Sequence, residues 1–434
     1  MITDTKPGPT EMIDLLRDIL DALDDTAPLM AEFEAICDTG GRFSGSVSEK
    51  QAVRHLKQRI ENLFGRPPDV IPTAYDGWSR QSHTLTRLTP SPLELECLSL
   101  VWSPSTPPGG IEAEIVDMGR GELPAFEARA GELAGRIPLV GHEYMFTENT
   151  LHRRYKYDAA RAAGAVGFLI ANHLPGKGLL SGSSGRNRPE DIPAFAITAE
   201  GATQLARTPA GYPRVRLEST SESPGGVAEN LVLEIPGEID EWIVLSAHID
   251  GHPLGESAMD NATGLATVLH VAHTLATRRD RFRRGLRIML FNVEEWGLWG
   301  SAKYVESLSS ATRDKIALNV NLDSVAGDAH LTAITSGYPK IGAFLSPIAE
   351  AADVPLATYD ALMRNSDHYN FAAGGIPAFR LVAGFDRPDS NLRYVLMRED
   401  TRDKVTESEM RQAARLTGTI LVEALTAETL DLRA

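Results

Sequence analysis

From residue 228 onward the chain alternates short apolar runs with amphipathic segments. NLVLEIPG and EWIVLSAHID read as two strands around a turn. After them come a helical ATGLATVLHVAHTLA, the strand LRIMLFNVEE, a helical SAKYVESL, the strands IALNVNLDS and IPAFRLVAG, and a last helix over 407–426. Strands that alternate with helices of this length have to be covered on both faces, which predicts an α/β domain built on a mostly parallel mixed sheet flanked by helices. Upstream, residues 12–36 and 46–63 carry helical apolar spacing and are joined by the Gly-rich turn DTGGRFSGS. From about residue 92 the texture changes to short apolar runs cut by Gly and Pro (LSLVW, AEIVDMG, GRIPLVG, AVGFLIAN, IPAFAIT) around one helix, YKYDAARAAGA. This is a small β-rich module, and the soft stretch STSESPGG closes it. The expected division is therefore 1–94, 95–222 and 223–434.

Composition narrows the function class. The 434 residues are 42% hydrophobic and 24% charged, as in a folded globular chain. A net charge of -16 argues against nucleic acid or an anionic membrane as partner. Cys37 and Cys97, the two cysteines, are too few for a disulfide framework or a thiolate metal site. No run is long and apolar enough to cross a bilayer and no signal peptide is visible, so a cytoplasmic location is the expectation. The sequence carries no signal for subunit number.

The chemistry sits where the apolar runs end. His248 and Asp250 close WIVLSAHID, Asp260 and Asn261 precede the next helix, Glu294 and Glu295 close LRIMLFNVEE, and Asp323 closes IALNVNLD. That edge is where α/β sheets place their ligands. One imidazole and several carboxylates suit zinc or a similar divalent ion. Hydrolysis also needs a base for the attacking water and carboxylates that orient the ligands. Glu294 and Glu295 can divide the first task, one holding metal and the other facing water, and Asp250 is placed to orient His248. A lone His or a Glu pair at a strand end is usually structural, but four such clusters in one domain are hard to produce as solvated loops. No G-x-S-x-G elbow occurs.

The runs HIDGHPLGESAMDNATGLA, FNVEEWGLWGS, NLDS and SDHYNFAAGGIPA resemble the M28 metallopeptidases, the aminopeptidases and glutamate-carboxypeptidase-like enzymes, in order and spacing. Residues 95–222, with YDAARAAGAVGFLIAN and IPAFAIT, resemble the protease-associated (PA) domain often inserted at this place. The resemblance implies a zinc-exopeptidase-like fold and cleavage of a terminal amide bond in a peptide or small amide substrate, as in an aminopeptidase. It implies His248, Asp260 and Asp323 around one ion, Asp260 bridging to a second ion held by Glu295, Glu294 as general base and Asp250 as orienting acid. Zinc is the expected metal, with manganese or cobalt as substitutes.

One departure bears on the ion count. The family supplies the second ion with a His four residues before an Asp-Thr, whereas RYVLMREDTRDKV places Leu396 there, and no His follows His368. One or two ions therefore both stay open. His368, in SDHYNF, is a candidate replacement ligand. His252, His270 and His273 are left out, the first because its loop has no readable direction. A single-metal amidohydrolase or aminohydrolase acting on a non-peptide molecule is the second reading, and a catalytically silent peptide-binding relative the third.

Overall fold

The computed structural model describes residues 9–184, 188–206 and 211–433. They form two eight-stranded sheets. The first runs, edge to edge, Asp69–Asp76, Gly225–Ile235, Arg284–Phe291, Ile239–His248, Ile316–Leu322, Ala378–Ala383, Leu331–Ile334 and Leu356–Tyr359. The four strands Arg284–Phe291, Ile239–His248, Ile316–Leu322 and Ala378–Ala383 are parallel neighbours. The Asp69–Asp76 and Gly225–Ile235 strands pair antiparallel beside them. The sheet is thus mixed, with the parallel core that the alternating pattern predicts.

Near-continuous burial along the central strands reflects cover on both faces. On one face the helices Pro9–Leu23, Ala27–Cys37, Thr263–Ala276 and Glu407–Thr426 pack on each other and on the sheet. On the other, Trp299–Ser307 and His368–Ala373 bring Tyr304 and Phe371 against Phe291. Thr406 and Glu409 form a reciprocal capping box that starts the last helix at the expected residue.

Three sequence expectations need correction. The segment 12–36 is two helices, Pro9–Leu23 and Ala27–Cys37. Pro28 lies in the first turn of the second, where its missing N–H costs no hydrogen bond but where it cannot continue an earlier helix. The strands of NLVLEIPG and EWIVLSAHID are not partners. Arg284–Phe291 lies between them, because the second strand takes parallel neighbours on both sides. The second sheet also begins ahead of residue 95. Its order is Leu93–Leu95, Ser79–Arg87, Arg214–Glu222, Ile111–Asp117, Ile137–Gly141, Phe168–Ala171, Ala194–Ile197 and Cys97–Ser99. Ser79–Arg87 is polar at most positions and pairs antiparallel with Arg214–Glu222, so its membership is set by a partner far along the chain that local apolar texture does not reveal.

The inserted unit touches the first sheet's rim. Leu180 bridges Met397, the Ser181 N–H donates to the Leu396 carbonyl at 2.8 Å, and Tyr144 Oη donates to the Gly384 carbonyl at 2.6 Å.

Candidate metal centre

Parallel pairing delivers the site. Because Arg284–Phe291, Ile239–His248 and Ile316–Leu322 run side by side in one direction, their C-terminal ends meet at one edge. His248 is the last residue of its strand, Asp323 follows Leu322 directly, and Glu294 and Glu295 follow Phe291 after a two-residue turn. That turn is held by the Asn292 side chain, which donates to Glu49 at 2.7 Å, and by the Asn292 N–H, which donates to Asn230 at 2.8 Å. Trp296, fully buried against Phe43, Tyr75 and Trp102, anchors its far side.

Asp260 comes from the irregular turn Ala258–Ala262 that opens the Thr263–Ala276 helix. The neighbouring Asn261 ties it down. Its Nδ2 donates to the Leu322 carbonyl at 2.8 Å, and its Oδ1 accepts from Gly264 N–H at 3.0 Å and Ser324 N–H at 3.3 Å. Gly264 is required by this approach, since a Cβ there would sit 2.3 Å from Asn261 Oδ1 and 2.5 Å from the Leu322 oxygen. Ser257, Val293, Leu298, Ser324 and Leu396 all have positive φ and flank site segments. Non-glycine residues in this region store strain of about 1–3 kcal/mol each, which the packing around the site has to offset.

The side chains converge. His248 Nε2 lies 3.0 Å from Asp260 Oδ1 and 3.6 Å from Asp323 Oδ1. Donor atoms of His248, Glu294 and Glu295 also lie within 4.8 Å of one another. His248 Nε2 and Glu295 Oε1 are buried without a hydrogen-bond partner. Buried polar atoms of opposite character left in that condition, one imidazole amid carboxylates, fit a divalent cation of the zinc class. His248 Nδ1 faces the Asp250 backbone carbonyl at 2.9 Å, which leaves Nε2 for the ion.

Asp250 meets both His248 and the Glu pair. Its carboxylate stays 3.9 Å from His248 Nδ1, and the backbone carbonyl takes the orienting contact. The carboxylate accepts from the Glu294 N–H at 3.0 Å, the Glu295 N–H at 3.2 Å and Ser44 Oγ at 2.9 Å. It therefore positions the Glu pair, and the GGRFSGS turn contributes through Ser44.

Electrostatics follow from burying so many acids. Burial raises the Glu294 carboxyl well above its ordinary range, and Glu295 is raised in the same way. Burial alone would lower the His248 imidazole, but Glu294, Asp260 and Asp323 more than offset it and raise it well above its usual value. Asp323 moves the other way, because Arg380, with Nη2 3.1 Å from Oδ1, and His248 outweigh its burial and hold it well below the carboxylate range. Burial lifts Asp367 to about 7.

Four residues of the site were not assigned from sequence. Arg380 braces Asp323. A charged residue inside the apolar run IPAFRLVAG was the available signal, since a strand covered on both faces has to pair such a group. Arg42 is fully buried and donates to the carbonyls of Ile249, Glu256 and Ser257 at 2.7–2.8 Å. Arg153, from the insert, is buried and faces Glu295 across the cleft. His252, set aside above, has Nε2 2.5 Å from Glu295 Oε2, and burial holds its imidazole down at about 3. His368 is buried at a helix start near Asp323 and Arg380, with both ring nitrogens lacking a hydrogen-bond partner; neither it nor His252 is among the groups of three whose donor atoms converge, but His252 contacts Glu295 directly.

These groups open into a cleft of about 200 Å³ between the two units. Asp260, Glu294, Glu295 and Asp323 line it together with Arg364, Asn365 and Leu396 and with Phe146, His152 and Arg153 of the insert. A mixed α/β sheet bearing a buried imidazole-carboxylate cluster at the C-terminal ends of its parallel strands, beneath an inserted β-rich unit, has the architecture of the metallopeptidases. Residues 230–421 match the model of Peptidase family M28 and residues 111–205 that of the PA domain, which supports an M28 metallopeptidase with a PA insertion. It is 27% identical over 310 residues to the Probable lipoprotein aminopeptidase LpqL of Mycobacterium tuberculosis, covering 67% of this chain and 60% of that protein. It is also 27% identical over 296 residues to Carboxypeptidase Q of Mus musculus, covering 66% of this chain and 62% of that protein. The chain thus spans about three fifths of the length of these curated relatives. The solved structure of BSAP, a zinc aminopeptidase from Bacillus subtilis, superposes with a TM-score of 0.72 at 21% identity, over 96% of this chain and 97% of that one. Among the described residues no helix is long and apolar enough to cross a membrane.

Proposed function

We propose that this chain is a zinc-dependent peptidase that releases the N-terminal residue of a short peptide or peptide-like amide. The observation that carries the reading is the convergence of His248, Asp260 and Asp323 on one point in the cleft, with Glu294 and Glu295 beside them. His248, Asp260 and Asp323 would hold the ion, which when bound supplies Lewis acidity toward the substrate carbonyl and acidity to water. The names of LpqL and BSAP, an aminopeptidase and a zinc aminopeptidase, support the choice of metal and of terminus.

Glu294 is the general base in this reading. Its backbone is fixed by Asp250, and its burial among other acids gives the carboxyl the high proton affinity suited to a group that takes a proton from water and returns it to the leaving amine. Asp323 stays ionised through Arg380 and so remains a ligand while its neighbours exchange protons. Phe146, His152 and Arg153 of the insert line the same cleft as the acids, so the insert shares in shaping the substrate's space.

The test is a panel of aminoacyl anilides with free and acetylated amino groups, alongside C-terminally free and amidated dipeptides, presented to the zinc-loaded protein. Cleavage that needs a free amine and tolerates a blocked carboxylate is the expected result. Cleavage that needs a free C-terminal carboxylate and tolerates acetylation contradicts the assignment of terminus.

A further inference from the structure

We propose that His252 supplies the imidazole for a second divalent ion, held with Glu295 and Asp260, and so takes the place of the late histidine that Leu396 replaces. The inference rests on the reading of the cleft as a metal centre.

The loop after the Ile239–His248 strand folds back and holds His252 in one position. The His252 N–H donates to Ser257 Oγ at 2.9 Å, and Arg42 clamps the carbonyls of Ile249, Glu256 and Ser257 around it. Gly41 passes so close that a Cβ would fall 1.9 Å from the His252 carbonyl oxygen. The imidazole, 3% exposed, then points at Glu295, with Nε2 2.5 Å from Oε2. The other Glu295 oxygen is buried with no hydrogen-bond partner, so one lone-pair face of this carboxylate has nothing to satisfy it. Asp260, 3.0 Å from His248 Nε2, lines the same cleft as Glu295.

The far side of the ring has the outer contact that a ligand needs. A metal-bound imidazole generally passes its other N–H to a fixed acceptor, which sets the tautomer. His252 Nδ1 lies 3.2 Å from Ser181 Oγ, and the Ser181 N–H in turn donates to the carbonyl of Leu396 at 2.8 Å. The segment that lacks the expected imidazole therefore anchors, through the insert, the residue that orients the replacement. With His252 in place, each ion would have one neutral imidazole, one carboxylate of its own and Asp260 shared, a donor set suited to zinc. A simple buried His252–Glu295 ion pair would instead leave the second position closed to metal.

The experiment uses the full chain, stripped with a chelator and titrated with zinc. Ions are counted by atomic emission and affinities taken by competition with a chromophoric chelator. The wild type is expected to bind two ions, and His252→Ala to keep the first at unchanged affinity while losing at least about 100-fold at the second, beyond the range for an outer partner. Ser181→Ala, which leaves the ring intact should His252→Ala fail to fold, is expected to weaken the second ion alone by about 10-fold. One ion in the wild type, or two of unchanged affinity in both variants, overturns the inference. The metal-centre reading survives that result if His248→Ala loses the remaining ion, and no zinc binding at all removes both.

Discussion

Replacing Glu294 by Gln separates the chemistry from the metal. The change removes one charge and a proton-accepting oxygen while keeping side-chain volume, and the backbone N–H that Asp250 holds at 3.0 Å is untouched. His248, Asp260 and Asp323 remain to hold the first ion. Among the other acids lining the cleft, Asp260 and Asp323 contact His248 and Glu295 contacts His252, so each is already engaged. A positioned general base contributes about 10²–10⁴-fold, which at about 1.36 kcal/mol per decade is roughly 2.7–5.4 kcal/mol of barrier. Steady-state hydrolysis of the preferred aminoacyl anilide should therefore lose 10²–10⁴-fold in kcat, with KM and zinc content close to wild type. Turnover within a few-fold of wild type would refute the assignment of the base. Loss of zinc together with activity would make Glu294 a ligand instead.

Other perturbations test the supports. Gly264→Ala places a methyl against Asn261 Oδ1 and the Leu322 carbonyl; a fixed backbone oxygen cannot yield, so a loss of about 1–3 kcal/mol in a urea melt and a weaker first ion are expected, and an unchanged midpoint contradicts the close-packing account. Arg42→Met leaves the carbonyls of Ile249, Glu256 and Ser257 without their donor and should cost at least about 3 kcal/mol by the same melt. Zinc binding should also release protons. His248, Glu294 and Glu295 are all raised above their ordinary values, so the metal-free cluster binds protons that a cation has to displace, and apparent affinity rises as pH increases. Calorimetric titration in buffers of different ionisation enthalpy measures this, and a heat independent of buffer contradicts it.

Much of this site was readable because strand ends are readable. His248 and Asp323 close apolar runs and Glu294 and Glu295 follow one after a two-residue turn, and parallel pairing makes such positions neighbours whatever their separation in sequence. Asp260 was legible through its place ahead of a helix. What stayed hidden depends on the paths of loops and on long-range pairing. The direction of His252 is set by Arg42 and Gly41, more than two hundred positions earlier, and no local pattern encodes that contact. The 2.9 Å contact of the Asp250 backbone carbonyl with His248 Nδ1, closer than the carboxylate at 3.9 Å, depends on the bend after the strand. Ser79–Arg87 joined the insert's sheet because its partner, Arg214–Glu222, lies at the far end of the module.

The most direct measurement of the central claim is an anomalous-difference map from crystals of the zinc-loaded protein, recorded at the zinc absorption edge. The account predicts a peak within about 2.0–2.2 Å of His248 Nε2 and of carboxylate oxygens from Asp260 and Asp323. A map with no peak at these three side chains, or with zinc held only elsewhere in the chain, would contradict it.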